Sequence, residues 1–372
     1  MTIQLLTIVL FTLSVVFSQS EVNVDSIEVN GGKAYKIDDE KAYTGKVFEL
    51  YESSEQMKLE GQYKKGFKVG KWTGWHKNGK KSQEGIYKNR KLDGIWTWWN
   101  EDGKEMKKES YKKGVLIGRT EWKYYGNGQK NSEKIYKNGE LDGICTRWYN
   151  NGEKKREEIY KEGVKNGLYI EWYKNGEKKK EGNYKDDEKD GKWSCWYEDG
   201  QRWYEENYKN GLEDGRWTDW YEDGQKETEG NYVDGVREGN HTWWYGNGHK
   251  KSEGVYVEGQ EDGLWTDWHE NGQEETVGSY KDGKKDGLWT YWYENGQRWG
   301  ESTYKDGIIN GLVYYKDDEE VVVESDTDEV EHKAEGDGME VKSVLKKYKE
   351  MMDKGLIDKK DYAAKKKELL GL

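Results

Sequence analysis

A glycine returns along most of this chain on a fixed beat, and that beat constrains the fold more than any other feature. It opens segments of the type G-x-W-T-x-W-Y and falls at Gly45, Gly70, Gly94, Gly118, Gly143, Gly167, Gly191, Gly215, Gly239, Gly263, Gly287 and Gly311. Nine of the eleven spacings are 24 residues and two are 25. A tyrosine keeps the same time at Tyr63, Tyr87, Tyr111, Tyr136, Tyr160, Tyr184, Tyr208, Tyr232, Tyr256, Tyr280 and Tyr304. A unit this short cannot bury a face alone, so each repeat depends on its neighbours.

Within a unit the residues read as two strands. The first is typified by Gly287-Leu288-Trp289-Thr290-Tyr291-Trp292-Tyr293, rich in residues that favour a pleated, half-buried surface. Asn295-Gly296 follows, and equivalent Asn-Gly or Asp-Gly pairs recur from Asn78-Gly79 to Asn271-Gly272. Such pairs accept the positive φ angles of a type I′ turn, so each is expected to mark a hairpin tip. The second strand runs through the repeat tyrosine into a segment such as Lys281 to Asp286, read as a looser turn. Strands of about 5–7 residues are expected. Hairpins joined this closely have no crossover for parallel pairing. The fold class predicted is therefore mainly β: an elongated single-ribbon antiparallel meander of about eleven hairpins, with a small C-terminal α-helical hairpin. Trp75, Trp99, Trp148, Trp172, Trp196, Trp220, Trp244, Trp268 and Trp292 share one repeat position and are expected to form an aromatic row along one face.

Composition agrees with a thin, ring-filled structure. Only 33% of residues are hydrophobic and 37% are charged, with no proline, yet there are 20 Trp and 29 Tyr. Aliphatic residues are too few for a large core, and aromatics too many for a disordered chain. The net charge of −12 argues against nucleic acid as a partner, since phosphate neutralisation needs a basic face.

The unit resembles the MORN repeat, in the variant found in bacterial tandem arrays. Gly263 to Gly283 carries nearly all of its pattern, and the resemblance covers Ala42 to Tyr315. Val47 and Leu50 depart from it in the first unit, Gly118 to Gly128 holds one extra residue, and Arg90 and Asp187 stand where turn glycines are usual. The atypical first unit and the truncated last one read as caps.

The flanks differ. Ile3 to Phe17 is an apolar run followed by Ser18-Gln19-Ser20, which matches a secretory signal peptide over residues 1–20. The alternative is a membrane anchor formed by residues 3–17. An export signal places the protein in the periplasm, on the cell surface or outside the cell. Residues 21–44 read as a lead-in to the array at 45–316. Residues 317–340 hold twelve acidic residues against one lysine and read as a flexible linker. Residues 341–372 show helical spacing around Leu345 and Tyr348, a stop at Gly355, then Ile357, an N-cap at Asp358, and Tyr362, Leu369 and Leu370. Leu345 to Leu370 is similar to the short C-terminal domain called SHOCT, with Asp358 and Asp361 replacing its usual residues. That resemblance implies an interaction or self-association module.

The residues offer little chemistry. His76 and His269 replace a repeat tyrosine and His241 a repeat tryptophan, while His249 follows a turn and His332 lies in the linker. Cys145 and Cys195 sit two repeats apart, too far for a disulfide in such a ladder. The cluster Asp186, Asp187, Glu188 and Asp190 reads as a turn. No nucleophile and base arrangement and no phosphate loop appear, so no enzyme, cofactor or metal is expected. The leading expectation is an exported scaffold binding a protein or envelope component, with the C-terminal hairpin as an oligomerisation or interaction module. The alternatives are an aromatic-lined glycan or cell-wall binder and an antitoxin-like repeat protein.

Overall fold

In a computed structural model of the chain, the structure describes residues 21–52, 54–316 and 319–322, with Lys349, Met352 and Lys366 besides. The expected signal segment, nearly all of the acidic linker and the C-terminal helical hairpin lie outside them. The chain divides into two units, 1–201 and 202–372.

The first unit opens with a cap. Val22–Asn23 pairs in parallel with Gly45–Leu50, covering the free edge of the first array strand. A hairpin of Ile27–Asn30 and Lys33–Lys36 follows. Ala34 is buried there; its N–H donates to Gly66 O at 2.9 Å and its carbonyl accepts from Tyr43 N–H at 2.8 Å. From Gly45 to Trp196 each strand then pairs antiparallel with the next one in sequence.

In the second unit the same meander runs from Arg202–Lys209 to Ile308–Lys316. Glu319–Val322 adds one more antiparallel strand, so four residues of the expected linker belong to the sheet.

Two local expectations are corrected. Full strands such as Lys284–Trp292 and Arg298–Lys305 have nine and eight residues, longer than expected. The cause is an exchange of turn types. The segment read as a loose turn is the tight one: Lys281 pairs with Lys284, leaving only Asp282 (φ 49°) and Gly283 (φ 74°) between them. Two consecutive positive φ values are the type I′ signature. At the Asn-Gly tip only Gly296 has positive φ, at 80°. There Gly296 N–H donates to Tyr293 O and Tyr293 N–H to Gln297 O, both at 2.9 Å. This is a type I turn closed by a glycine bulge, the three-residue hairpin loop. Arg90 and Asp187, in place of turn glycines, adopt φ of 67° in type I′ turns.

A bulge also accompanies the opening glycine in most repeats. Val277 faces Thr290 and Ser279 faces Asp286, so Gly287, Leu288 and Trp289 stand against the single residue Gly278. The extra backbone lets the Trp289 side chain reach over the neighbouring strand.

Candidate binding surfaces

The most buried rings are not those of the nine tryptophans singled out above. In the first unit Trp72, Trp96 and Trp193, two residues after an opening glycine, are buried with Tyr63 and Tyr169, and in the second unit Trp289, Tyr208 and Tyr256 are buried. Rings at this position alternate edge-to-face with the repeat tyrosines. In the first unit Tyr63, Trp72, Tyr87 and Trp96 follow at centroid distances of 5.3, 6.1 and 5.3 Å. Tyr184 and Trp193 resume the series at 4.9 Å. The second unit holds an unbroken run: Trp217, Tyr232, His241, Tyr256, Trp265, Tyr280, Trp289 and Tyr304. Such contacts add to the area each ring buries.

A second glycine makes this spine possible. Gly61, Gly85, Gly182, Gly230, Gly254 and Gly278 each precede a repeat tyrosine by two residues. A Cβ at any of them would lie within 2.2 Å of the Trp or His ring of the next strand. Glu109, Lys134, Glu158, Glu206 and Ser302 occupy the other such positions. At two of them the carboxylate instead meets the repeat tyrosine. Glu109 accepts from the Tyr111 hydroxyl at 2.7 Å, and Glu206 from that of Tyr208 at 2.7 Å. Burial, reinforced by Glu109, pushes the Tyr111 phenol up to about 12. Arg119 covers the Tyr136 ring at 4.3 Å and pairs with Glu121 at 3.1 Å. The register places Glu121 where other repeats carry the core ring, because Arg119 and not Gly118 faces Tyr136. Sequence reasoning missed the spine, although its signal was present: an aromatic two residues after one glycine, and a glycine two residues before the tyrosine.

The nine tryptophans of the expected row are all half-buried. Cations from the preceding repeat cover seven of them, from Lys81 over Trp99 at 5.9 Å to Lys250 over Trp268 at 5.5 Å. Their carbonyls anchor a ladder. The hydroxyls of Tyr51, Tyr125, Tyr149, Tyr173, Tyr221 and Tyr245 donate to the carbonyls of Trp75, Trp148, Trp172, Trp196, Trp244 and Trp268 at 2.7–2.8 Å. His76 and His269 make the same link through Nε2, at 2.9 Å to the carbonyls of Trp99 and Trp292. Turn asparagines add a parallel ladder, as in Asn271 Nδ2 to Glu294 O at 2.6 Å.

His241 is buried at a core-ring position, and desolvation, helped by the charge of Arg237, holds its imidazole below the ordinary value. Cys145 and Cys195 are both buried. Among the described residues no three His, Cys, Asp or Glu side chains gather to hold a metal, and no helix is long and apolar enough to cross a membrane. The C-terminal residues Leu345, Tyr348, Gly355, Ile357, Tyr362, Leu369 and Leu370 lie outside the described set.

Two clefts open between neighbouring repeats. In the second unit Trp243, Tyr256 and Trp265 wall one of about 360 Å³, with Asp267 in it accepting from Ser252 Oγ at 2.6 Å and Trp265 Nε1 at 3.2 Å. In the first unit the other, of about 310 Å³, is lined by Lys123, Lys134, Arg147 and Lys155.

Comparison with known families agrees with the repeat unit. Residues 68–89, 92–113, 141–162, 165–186, 189–210, 213–234, 237–258 and 285–306 each match the MORN repeat variant. The region 68–306 thus carries an array of MORN-variant repeats. Two long stretches between matches are left uncovered, 114–140, which contains the extra residue and Glu121, and 259–284. No curated protein matches the chain. Among solved structures, the Photorhabdus luminescens Tc holotoxin pore with a mutated TccC3 matches at 10% identity and a TM-score of 0.19, over 73% of this chain and 14% of that one. A TcdB2-TccC3 structure without its hypervariable C-terminal region matches at 9% identity and a TM-score of 0.19, over 78% of this chain and 19% of that one. This chain thus spans less than a fifth of the length of those solved chains.

Proposed function

We propose that this chain is an exported, non-enzymatic scaffold whose sheet engages a protein or an envelope component, with residues 341–372 as an interaction or self-association module. One observation carries the reading. The residue between each opening glycine and the core ring points to the face opposite the spine, and several repeats place an exposed aliphatic there. Ile95 is 60% and Leu264 62% exposed, and Ile144, Leu168 and Leu288 are also open. Repeated apolar side chains left in solvent at one level of a sheet suit a partner that covers them. Export rests on the apolar segment Ile3 to Phe17, and the interaction module on the SHOCT-like pattern.

The test compares the full chain with an Ile95→Ser, Ile144→Ser, Leu168→Ser variant and with a chain ending at residue 316, each immobilised against envelope extract. A partner held by the full chain and lost from the serine variant, with unchanged circular dichroism, supports the scaffold. Equal capture by both removes the aliphatic row from the explanation.

A second reading, glycan binding, is favoured by the cleft of Trp243, Tyr256 and Trp265, where ring faces and the Asp267 carboxylate converge. Loss of retention on cell-wall polysaccharide in Trp243→Ala, with the serine variant unaffected, would place binding there. The expected Trp row itself fits a sugar platform less well, since cations already cover most of its rings.

A further inference from the structure

The chain carries a net charge of −12, yet the cleft in the first unit is lined by four cations and no carboxylate. We propose that Lys123, Lys134, Arg147 and Lys155 form a binding site for a phosphate-class oxyanion, free or carried on a larger molecule.

Ser132 faces Lys123 on one side and Arg147 on the other. Lys123 and Arg147 therefore lie two strands apart at one level, about 9.6 Å by sheet spacing. Arg147 also stands directly opposite Arg156. Like charges facing each other across strands are destabilising. At the same level other repeats pair a ring or a carboxylate with a neutral or oppositely charged residue: Trp243 with Ser252, Asp267 with Thr276, Glu171 with Lys180. Here, where the aromatic spine is also interrupted, Lys123, Ser132, Arg147 and Arg156 follow one another across the sheet with no carboxylate among them.

The surrounding acids are already engaged. Glu121 pairs with Arg119 at 3.1 Å, Glu133 with Lys130 at 3.0 Å and Glu157 with Lys154 at 2.6 Å. Glu158 holds both Arg156 and Lys165 at 3.2 Å. Among the described residues none of the four cleft cations forms an ion pair. Lys123, Arg147 and Lys155 are exposed, and Lys134 is half-buried. Ser132 is buried between them, and its hydroxyl makes no hydrogen bond among the described residues. A cleft with a hydroxyl at its floor and four cations around it supplies charge-assisted donors from several directions, and a tetrahedral oxyanion, with more charge and several acceptor oxygens, gains more from them than a monovalent halide. The volume of about 310 Å³ leaves room for a group attached to the anion.

The experiment uses the full chain and inorganic phosphate, titrated by calorimetry at constant ionic strength against sodium chloride. Saturable one-site binding is expected, at least about tenfold weaker in Arg147→Gln, Lys155→Gln. A control with equal charge loss, Lys178→Gln, Arg202→Gln, removes cations already paired with Glu181 and Glu205 and should bind as the parent does. Vesicles containing phosphatidylglycerol distinguish the source. Cleft-dependent binding to vesicles with none to free phosphate assigns the oxyanion to a lipid headgroup. Absence of both, or equal weakening in the control, overturns the site.

Discussion

The indole of Trp289 lies against Gly278, so close that a Cβ on that glycine would stand 2.1 Å from the ring carbon Cδ2. Trp289 Nε1 donates to Ser279 O at 3.1 Å, and Tyr280 and Tyr304 flank the ring. Gly278→Ala must therefore push the indole out of the spine. Overpacking of this kind costs about 1–3 kcal/mol. Denaturant unfolding should show that loss, whereas Ser302→Gly, at the equivalent position of a repeat without a covering ring, should cost less. Equal effects of the two substitutions would show that the glycine does not serve the ring.

The two tryptophans of this repeat should differ in weight. Trp289 is 1% exposed, and Trp292, in the row expected from sequence, is half-buried. Truncating a fully buried ring costs about 3–5 kcal/mol. Trp289→Ala should lie in that range and Trp292→Ala well below it. Amide exchange in Trp289→Ala should accelerate first across 274–305, while 215–233 keep neighbours of their own. Uniform acceleration through the second unit would mean that it unfolds as one block.

How much of this was legible follows from what each signal measures. The period, the antiparallel pairing and the hairpin unit were legible, because a 24-residue beat with two turn signals leaves no other connection. The turn types were not. Asn295-Gly296 has the composition of a type I′ turn, but turn type is set by the number of residues between paired strands, which depends on tertiary register. The choice of core ring failed for a related reason. Trp289 and Trp292 look alike in sequence, and only the bulge at Gly287, opposite Gly278, decides which of them turns over the neighbouring strand. The polar interruption around Glu121 was half visible, as an extra residue after Gly118. The cationic cleft depends on which side chains face one another across three strands.

The phenol ladder gives a finer test. Tyr245 donates to the carbonyl of Trp268 at 2.8 Å, and His269 makes the equivalent link one repeat on. Tyr245→Phe keeps the ring and removes the donor, for an expected loss of about 1 kcal/mol. His269→Tyr restores the usual residue and should be neutral or slightly stabilising. Equal stability of Tyr245→Phe and the parent would show that water replaces the lost donor without cost.

His241 links the spine to pH. It stands where other repeats place a tryptophan, 1% exposed, between Tyr232 and Tyr256, with Arg237 close by. Its Nδ1 lies 3.3 Å from Gly239 O, and its Nε2 is buried with no partner. Burial lowers its pKa from 6.5, and Arg237 adds to the shift. Well above pH 6.5 the imidazole is neutral in both the folded and unfolded chain, so it contributes no pH dependence. Below that value the unfolded chain takes up a proton that the folded chain refuses. Stability is then lost as pH falls, with a slope of up to about 1.4 kcal/mol per pH unit, until the folded pKa is reached. His241→Trp replaces the imidazole with the usual spine residue over Gly230 and removes this dependence. The difference in unfolding free energy between His241→Trp and the parent should be flat above pH 7 and widen between pH 6.5 and 5. A constant difference across that range would mean that the buried imidazole is protonated as easily as a free one.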